Sequence, residues 1–409
     1  MDDTIVKLNN SIADKIFLAL LCLYFILKPF YLWENGLPQI SDIVLLTAII
    51  LYILKNKLKI GIFKGARQYV LINFIFIFYI SFINILWSLI LNGEFSFFKA
   101  SMFYIFNFIA AIIVVSSHHE YGERIYRLIY FSALASIALQ FIVFSFSGGF
   151  TGNRVVAYFN NPNQLGYHSL LTLALLLCIN GKLSINGIWL FTGIFFSFVL
   201  CLASLSKAAI ISFLGMLLYS ILVNIKNWIL TKKINRVYLV LMLITAAIPI
   251  YYQYNSEAFS ANLFFDSVKY RLSTIGQSGD DNLSERGYDR VFKYPRYLLF
   301  GAGEGLYSRF RATMEIHSTI GNILMSYGLI GILLYISILI LACRKNRWEG
   351  LYILAFITLY GLTHNGVRNT FFWIIISLIY SGGFTNEQKI RRKPDILLFN
   401  TGIMRGRNL

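Results

Sequence analysis

Arg154 precedes an asparagine-rich turn in the stretch NRVVAYFNNPNQLGYHS, residues 153–169, and Lys207 closes a second polar patch, SLSK, at residues 204–207. An arginine offers a planar fork of donors that matches phosphate oxygens, and a lysine adds a compact positive charge. Arg271, Arg286, Arg290 and Arg296 lie in a later polar stretch, and Arg368 stands in HNGVRN at residues 364–369. Cations of this kind, gathered on one face, suit a diphosphate. Asn161 and Asn163 flank Pro162, which fixes its own φ and drives Asn161 out of the helical region. Asparagine side chains bond nearby backbone, so the turn is predicted to cap the following helix in one defined shape beside Arg154. His317, in EIHSTIGNILMSYGLIG, is of a type that can take a proton from a sugar hydroxyl. Such work contributes about a hundred- to ten-thousand-fold in rate. His364 and His168 are further candidates, although a lone histidine at a helix start more often serves as a cap or interface residue.

Other chemistries fail on context. The glycine-rich GAGEG at residues 301–305 neither follows a strand nor opens a nucleotide-binding unit, and is read as a tight turn. Asp280 and Asp281 in SGDDN are read as a solvated turn rather than a cation site. Cys22, Cys178, Cys201 and Cys343 fall within or at the ends of apolar runs without metal-ligand spacing. No zinc-protease motif, Walker loop or nucleophile elbow is present. No metal and no cofactor are expected.

The elements that must position these residues follow from composition. The 409 residues are 57% hydrophobic and 13% charged, against about 25% charged in soluble domains. Apolar stretches of the length needed to cross a bilayer recur along the chain, and the alternation of a membrane β-barrel is missing. The fold class is therefore an all-α integral membrane protein. About twelve spans are predicted, starting near residues 14, 39, 69, 97, 126, 165, 186, 207, 237, 320, 350 and 369. Residues 1–253 form an N-terminal bundle of about nine spans, 254–318 a long loop subdomain between spans nine and ten, 319–384 three further spans, and 385–409 a basic tail. Lys55, Lys57 and Lys59, then Lys232, Lys233 and Arg236, then Arg344, Lys345 and Arg347 fall in loops of one face, with the tail. The positive-inside rule makes that face cytoplasmic, with both termini on it. The net charge of +17 is thus mostly accounted for by orientation, and nucleic acid is not expected. The candidate residues share the opposite face. Lys28, Asp42 and Lys99 map near outer span ends, and snorkelling to the interface is the expectation for both lysines.

In order along residues 153–373, the segments FNNPNQLG, SLSKAA, YLLFGAGEG, HSTIGNILMSYGLIG and HNGVRNTFFW resemble the landmarks of the O-antigen ligase and polymerase superfamily. The resemblance implies a multi-pass GT-C-like glycosyltransferase of the bacterial inner membrane. Its substrates would be undecaprenyl-diphosphate-linked glycans at the periplasmic face, used for lipopolysaccharide or a related surface polysaccharide. It implies that Arg154 and Lys207 hold the donor diphosphate, and the shared face adds one or more of Arg271, Arg286 and Arg290 to that expectation. His317 becomes the catalytic base, with Asn161, Asn163, His364 and Arg368 in support. The chain departs twice: Lys207 stands where arginine is expected, and Ser318 where asparagine often follows the histidine. The first keeps charge without the fork, and the second leaves the orientation of His317 open. Polymerases, which extend another lipid-linked glycan, share these motifs with ligases, which transfer it to lipid A core or another acceptor. The departures tilt the expectation toward a polymerase. The implied partners are the lipid-linked glycan and the bilayer, with room for a chain-length regulator. A lipid-linked glycan transporter is the reading from another class. It would show inverted halves, broken helices and ionisable residues near the midplane, and it fits less well with six prolines and polar groups gathered on one face.

Overall fold

The computed structural model describes residues 11–33, 38–57, 66–146, 153–183, 185–231, 263–277, 282, 284–344 and 347–391. Its elements are helical, with no strand among the described residues. They are α1 (Ile12–Leu27), α2 (Ile40–Lys55), α3 (Arg67–Ile90), α4 (Phe95–Tyr121), α5 (Glu123–Phe146), α6 (Pro162–Asn180), α7 (Gly187–Ala203), α8 (Lys207–Thr231), α9 (Leu263–Ser273), α10 (Asp289–Lys293), α11 (Thr319–Cys343), α12 (Arg347–Gly361) and α13 (Thr370–Arg391). Eleven of the twelve expected spans coincide with one of these helices. The ninth, near residue 237, lies outside the described residues, as do Asp280, Asp281 and the tail beyond 391. The long loop carries α9, α10 and two 3-10 turns, Pro295–Tyr297 and Tyr307–Phe310.

The segments Arg67–Ile90, Phe95–Tyr121, Glu123–Phe146, Lys207–Lys226 and Thr319–Cys343 are long and apolar enough to cross a membrane, and Gly187–Ala203 and Thr370–Gly382 are shorter apolar helices. The protein is α-helical and membrane-embedded. In α3 the buried positions Tyr69, Asn73, Phe76, Ile80 and Ile83 recur at steps of three and four, while Leu71, Phe74, Phe78, Phe82 and Leu89 remain exposed. An exposed stripe this apolar suits acyl chains rather than water.

The centre is α6, in which residues 165–179 are all buried, as expected of a helix apolar all round. It packs against α5, α7, α8, α12 and α13. At Gly166 a Cβ would stand 2.7 Å from Ser204 Oγ and 2.9 Å from the Ala209 Cβ, so glycine lets α6 close on the turn between α7 and α8. The predicted cap at its start forms. Asn161 takes φ −147° and ψ 137°, its side chain accepts from the Asn163 N–H at 2.8 Å, and Pro162 occupies the first turn. Asn161→Ala is expected to cost about 1 kcal/mol in thermal stability in detergent, with Asn161→Ser recovering most of it.

Two readings of the sequence need correction. Lys28 does not snorkel: it is 2% exposed, and its Nζ donates to Asp42 Oδ1 at 2.8 Å. Asp42 also accepts from the Gln39 N–H at 2.9 Å and so caps α2. The lysine is enclosed by protein, and an ion pair satisfies it instead. GAGEG is a turn, as expected, but it does more than reverse the chain. Helix α11 is broken at Gly328, at φ 66° and ψ −166°, and residues 298–303 fill the break. The N–H groups of Ala302 and Gly303 donate to the carbonyls of Met325 and Ser326 at 2.9 and 2.8 Å, and that of Leu329 to Leu298 at 2.7 Å. Backbone opened inside a membrane protein must find partners, and the loop supplies them. A Cβ on Gly301 would meet Ser326 O at 2.2 Å, and one on Gly328 would meet Leu299 O at 2.3 Å, so both glycines are needed for the approach. A broken helix thus exists without any proline in it.

Candidate functional site

A cavity of about 370 Å³ opens where the turn before α6, the end of the long loop and the turn between α12 and α13 meet. Backbone bonds between distant segments bring them together. The Thr319 N–H donates to His364 O at 3.2 Å, and the Gly366 N–H to Thr319 Oγ1 at 3.0 Å. The Tyr360 hydroxyl donates to Asn163 O at 3.1 Å. Of the residues singled out in the sequence, Asn161, Asn163, His317, His364 and Arg368 line this cavity. His317 is exposed, its N–H bonded to Arg286 O at 3.0 Å. Ser318 does not orient the imidazole; its hydroxyl caps α11 by accepting from the Gly321 N–H at 3.0 Å, and it donates to Gly361 O at 3.1 Å.

The five cations expected to hold a diphosphate do not line the cavity. Arg154 stands behind it, donating through Nη2 to Asn163 Oδ1 at 2.8 Å and through Nε to Ser204 O at 3.3 Å. Arg286 is held by Thr363 O, next to His364. Lys207 donates to Thr274 O at 2.7 Å, and Arg271 to Leu205 O at 3.3 Å. Between them they dock α9 onto the turn between α7 and α8. Arg290 is buried and donates to Met314 O at 2.8 Å, facing a different cleft. His168, buried between Phe159 and Phe371, takes no part.

Several residues that line the cavity escaped the sequence reading. Lys99, expected only to snorkel, is one. Glu315 is another, and it pairs with Arg368 at 3.2 Å. Asn365 also lines the wall, and neither its Nδ2 nor its Oδ1 has a partner among the described residues although both are buried. Tyr167, Tyr360 and His364 form a column, with ring centroids 4.4 Å and 4.7 Å apart in succession and interplanar angles of 8° and 15°.

Arg368 is the most strongly anchored group. Its Nε donates to Glu304 Oε1 at 2.9 Å, and its Nη2 is bonded to the same oxygen. Glu304 is 1% exposed and its other oxygen accepts from the hydroxyls of Tyr104 at 3.0 Å and Tyr327 at 2.9 Å. Burial would raise the carboxyl pKa, but the Arg368 guanidinium overrides it and holds Glu304 below the usual carboxylate range. The acid lies in GAGEG and the base in HNGVRN, so the two motifs meet as an ion pair at the cavity rim.

Burial, with the charges of Arg286, His317 and Arg154 in support, pushes the His364 pKa down to about 3 from 6.5. His364 is therefore neutral at physiological pH. The unfolded chain takes up a proton there as pH falls through 6.5 while the folded chain does not, so folding weakens with acidification over that window. His364→Phe, which keeps the ring stack but not the titration, is expected to lose at least about 1 kcal/mol less stability than wild type between pH 7 and pH 5. Melting curves at the two pH values check this.

No family model matches this chain, and no curated protein matches it either.

Proposed function

We propose that this chain is an inverting membrane glycosyltransferase that polymerises undecaprenyl-diphosphate-linked oligosaccharide units at the periplasmic face of a bacterial inner membrane. The observation that carries the reading is the meeting of an exposed histidine, His317, with the polar groups Asn161, Asn163, Asn365 and Arg368 on one cavity wall, with Arg154 and Arg286 immediately behind it. The twelve-span topology, with both termini cytoplasmic and the long loop periplasmic, belongs to the same proposal.

The reaction is a single displacement. The acceptor hydroxyl oxygen bonds to the anomeric carbon of the donor sugar as the bond from that carbon to the diphosphate oxygen breaks. The hydroxyl proton passes to His317, and the lipid diphosphate leaves with the electron pair. Lys99, which lines the cavity, with Arg154 and Arg286 adding charge from behind, stabilises the negative charge that develops on the leaving group, while Arg368, already matched by Glu304 and Glu315, fixes the wall. Lys207 and Arg271 act at one remove, by keeping α9 seated on the turn that Arg154 also grips. The approach of acceptor opposite the leaving group inverts the anomeric centre.

The same chemistry serves a ligase, and the acceptor decides between them. Purified protein offered both lipid-linked repeat units and core lipid is expected to lengthen the former. In cells lacking the native gene, complementation restores the long-chain glycan ladder, and loss of function leaves single repeats on core lipid. Failure to attach any glycan, with lipid-linked polymer accumulating, makes the chain a ligase. Transfer in neither assay, with movement of lipid-linked glycan across vesicles, sinks the enzyme reading and returns weight to the transporter, for which the break in α11 would then count.

A further inference from the structure

A second cleft, of about 800 Å³, lies in the long loop beside the central cavity. The two share a wall: Met314 lines the second cleft, while Glu315 and His317, one and three residues on, line the first. Four cations line the second cleft, Arg290, Lys293, Arg309 and Arg311, against two carboxylates, Glu285 and Asp289. Lys293 takes up one of these, bonding Asp289 at 2.6 Å while remaining 67% exposed. Arg311 is exposed, makes no ion pair among the described residues, and holds a left-handed conformation at φ 55°. Strained backbone of this kind persists only where its surroundings fix it, and it is common at ligand clamps. Arg309 stacks its guanidinium on Trp87, Phe97 and Phe310 at centroid distances of 5.1, 5.0 and 4.5 Å. Its Nη2 donates to Gly303 O at 3.1 Å, but its Nε and Nη1 are buried without a partner among the described residues. Tyr294 and Phe310 add ring surface, their centroids 5.0 Å apart.

Forked cations match carboxylates, aromatic rings offer flat apolar faces, and the volume is that of a pocket holding a sizeable organic ligand. We infer that this cleft is a subsite for an acidic glycan, holding carboxylate-bearing sugars of the chain whose end reacts in the neighbouring cavity. The inference rests on the proposed glycosyl transfer and names its substrate class: a surface polysaccharide containing uronic or similar acid sugars. Arg311 and Lys293 face the polymer at the open side, and Arg290, fixed on Met314 O, ties the cleft to the segment that carries His317.

The test is equilibrium binding to the full chain in phosphatidylcholine nanodiscs, with tetragalacturonate as the acidic probe and maltotetraose as a neutral chain of equal length. The uronate is expected to bind at least about tenfold more tightly, a difference of about 1.4 kcal/mol, and to weaken as salt rises. Arg311→Asn keeps a residue tolerant of the left-handed conformation, and Lys293→Met keeps the apolar stem. Each is expected to weaken uronate binding several-fold and leave maltotetraose unchanged. His317→Ala should bind uronate as wild type does. Equal affinity for the two probes, no binding of uronate, or no effect of either charge change overturns the subsite. Selective uronate binding by a chain that transfers no glycan overturns the transferase reading and leaves the subsite standing. Transfer without uronate preference does the reverse.

Discussion

Arg368→Leu is expected to destabilise the protein by about 3–5 kcal/mol, the usual cost of stripping one partner from a buried ion pair. The side chain of Glu304 is fully buried, and without the guanidinium its carboxylate keeps neutral donors such as the hydroxyls of Tyr104 and Tyr327, and no counter-charge among the described residues, for a charge that cannot reach water. Adding Glu304→Gln to Arg368→Leu should restore much of the loss, because a neutral amide needs no counter-charge. A double-mutant cycle on melting temperatures in detergent measures the coupling. The pH dependence gives an independent sign. In wild type the Glu304 pKa lies below 4.5, so its contribution is complete above that pH and is lost only as pH falls below it. In Arg368→Leu burial, the largest influence, is opposed only by neutral hydrogen bonds and raises the pKa, the folded state then binds the extra proton, and stability should fall as pH rises above 4.5. Above pH 4.5 Glu304 should therefore add almost no slope in wild type and a downward slope in Arg368→Leu. Equal slopes and an additive cycle would mean that the pair is not coupled in the membrane protein.

That pair marks where sequence reasoning stops. Apolar helices were legible because lipid demands long apolar runs, and the Asn-Pro-Asn cap was legible because proline and asparagine act on their own neighbours. Glu304 and Arg368 are separated by 64 residues, and nothing local to GAGEG announces a buried acid. The break at Gly328 was hidden for a related reason. Its glycine is tolerable in a helix on its own, and only the loop at residues 298–303 makes it a gap to be filled. Lys28 and Asp42 were both noticed, 14 residues apart, but their pairing depends on how α1 and α2 pack. Charge type is written in the sequence and charge partners are not: Lys207 and Arg271 are bonded to backbone carbonyls, which carry no sequence signature. His317 and His364 come to one cavity because the start of α11 is bonded to the turn before α13, a contact between segments some 45 residues apart.

Under the proposed function, His317→Ala is expected to lower kcat by about a hundred- to ten-thousand-fold, the range of general base catalysis, with KM for the lipid-linked donor little changed. The geometry selects this histidine over its neighbours. His364 lines the same cavity, but with its pKa pushed down to about 3 it holds a proton too weakly to pull one from a hydroxyl at neutral pH. Glu315 is also there, but its carboxylate is engaged by Arg368. His317 is exposed and lines the cavity, and it is its backbone N–H that carries the bond to Arg286. Its removal should therefore leave the melting temperature within the range of ordinary surface changes, about 0.5 kcal/mol. Arg154→Ala should differ in kind: it withdraws charge from the leaving group and also releases Asn163 and Ser204, so both donor KM and stability should suffer. Wild-type turnover in His317→Ala at matched membrane abundance would transfer the base to Glu315, and Glu315→Gln would then have to abolish transfer. Retention of activity in both would leave proton removal to water and reduce the cavity to a positioning device.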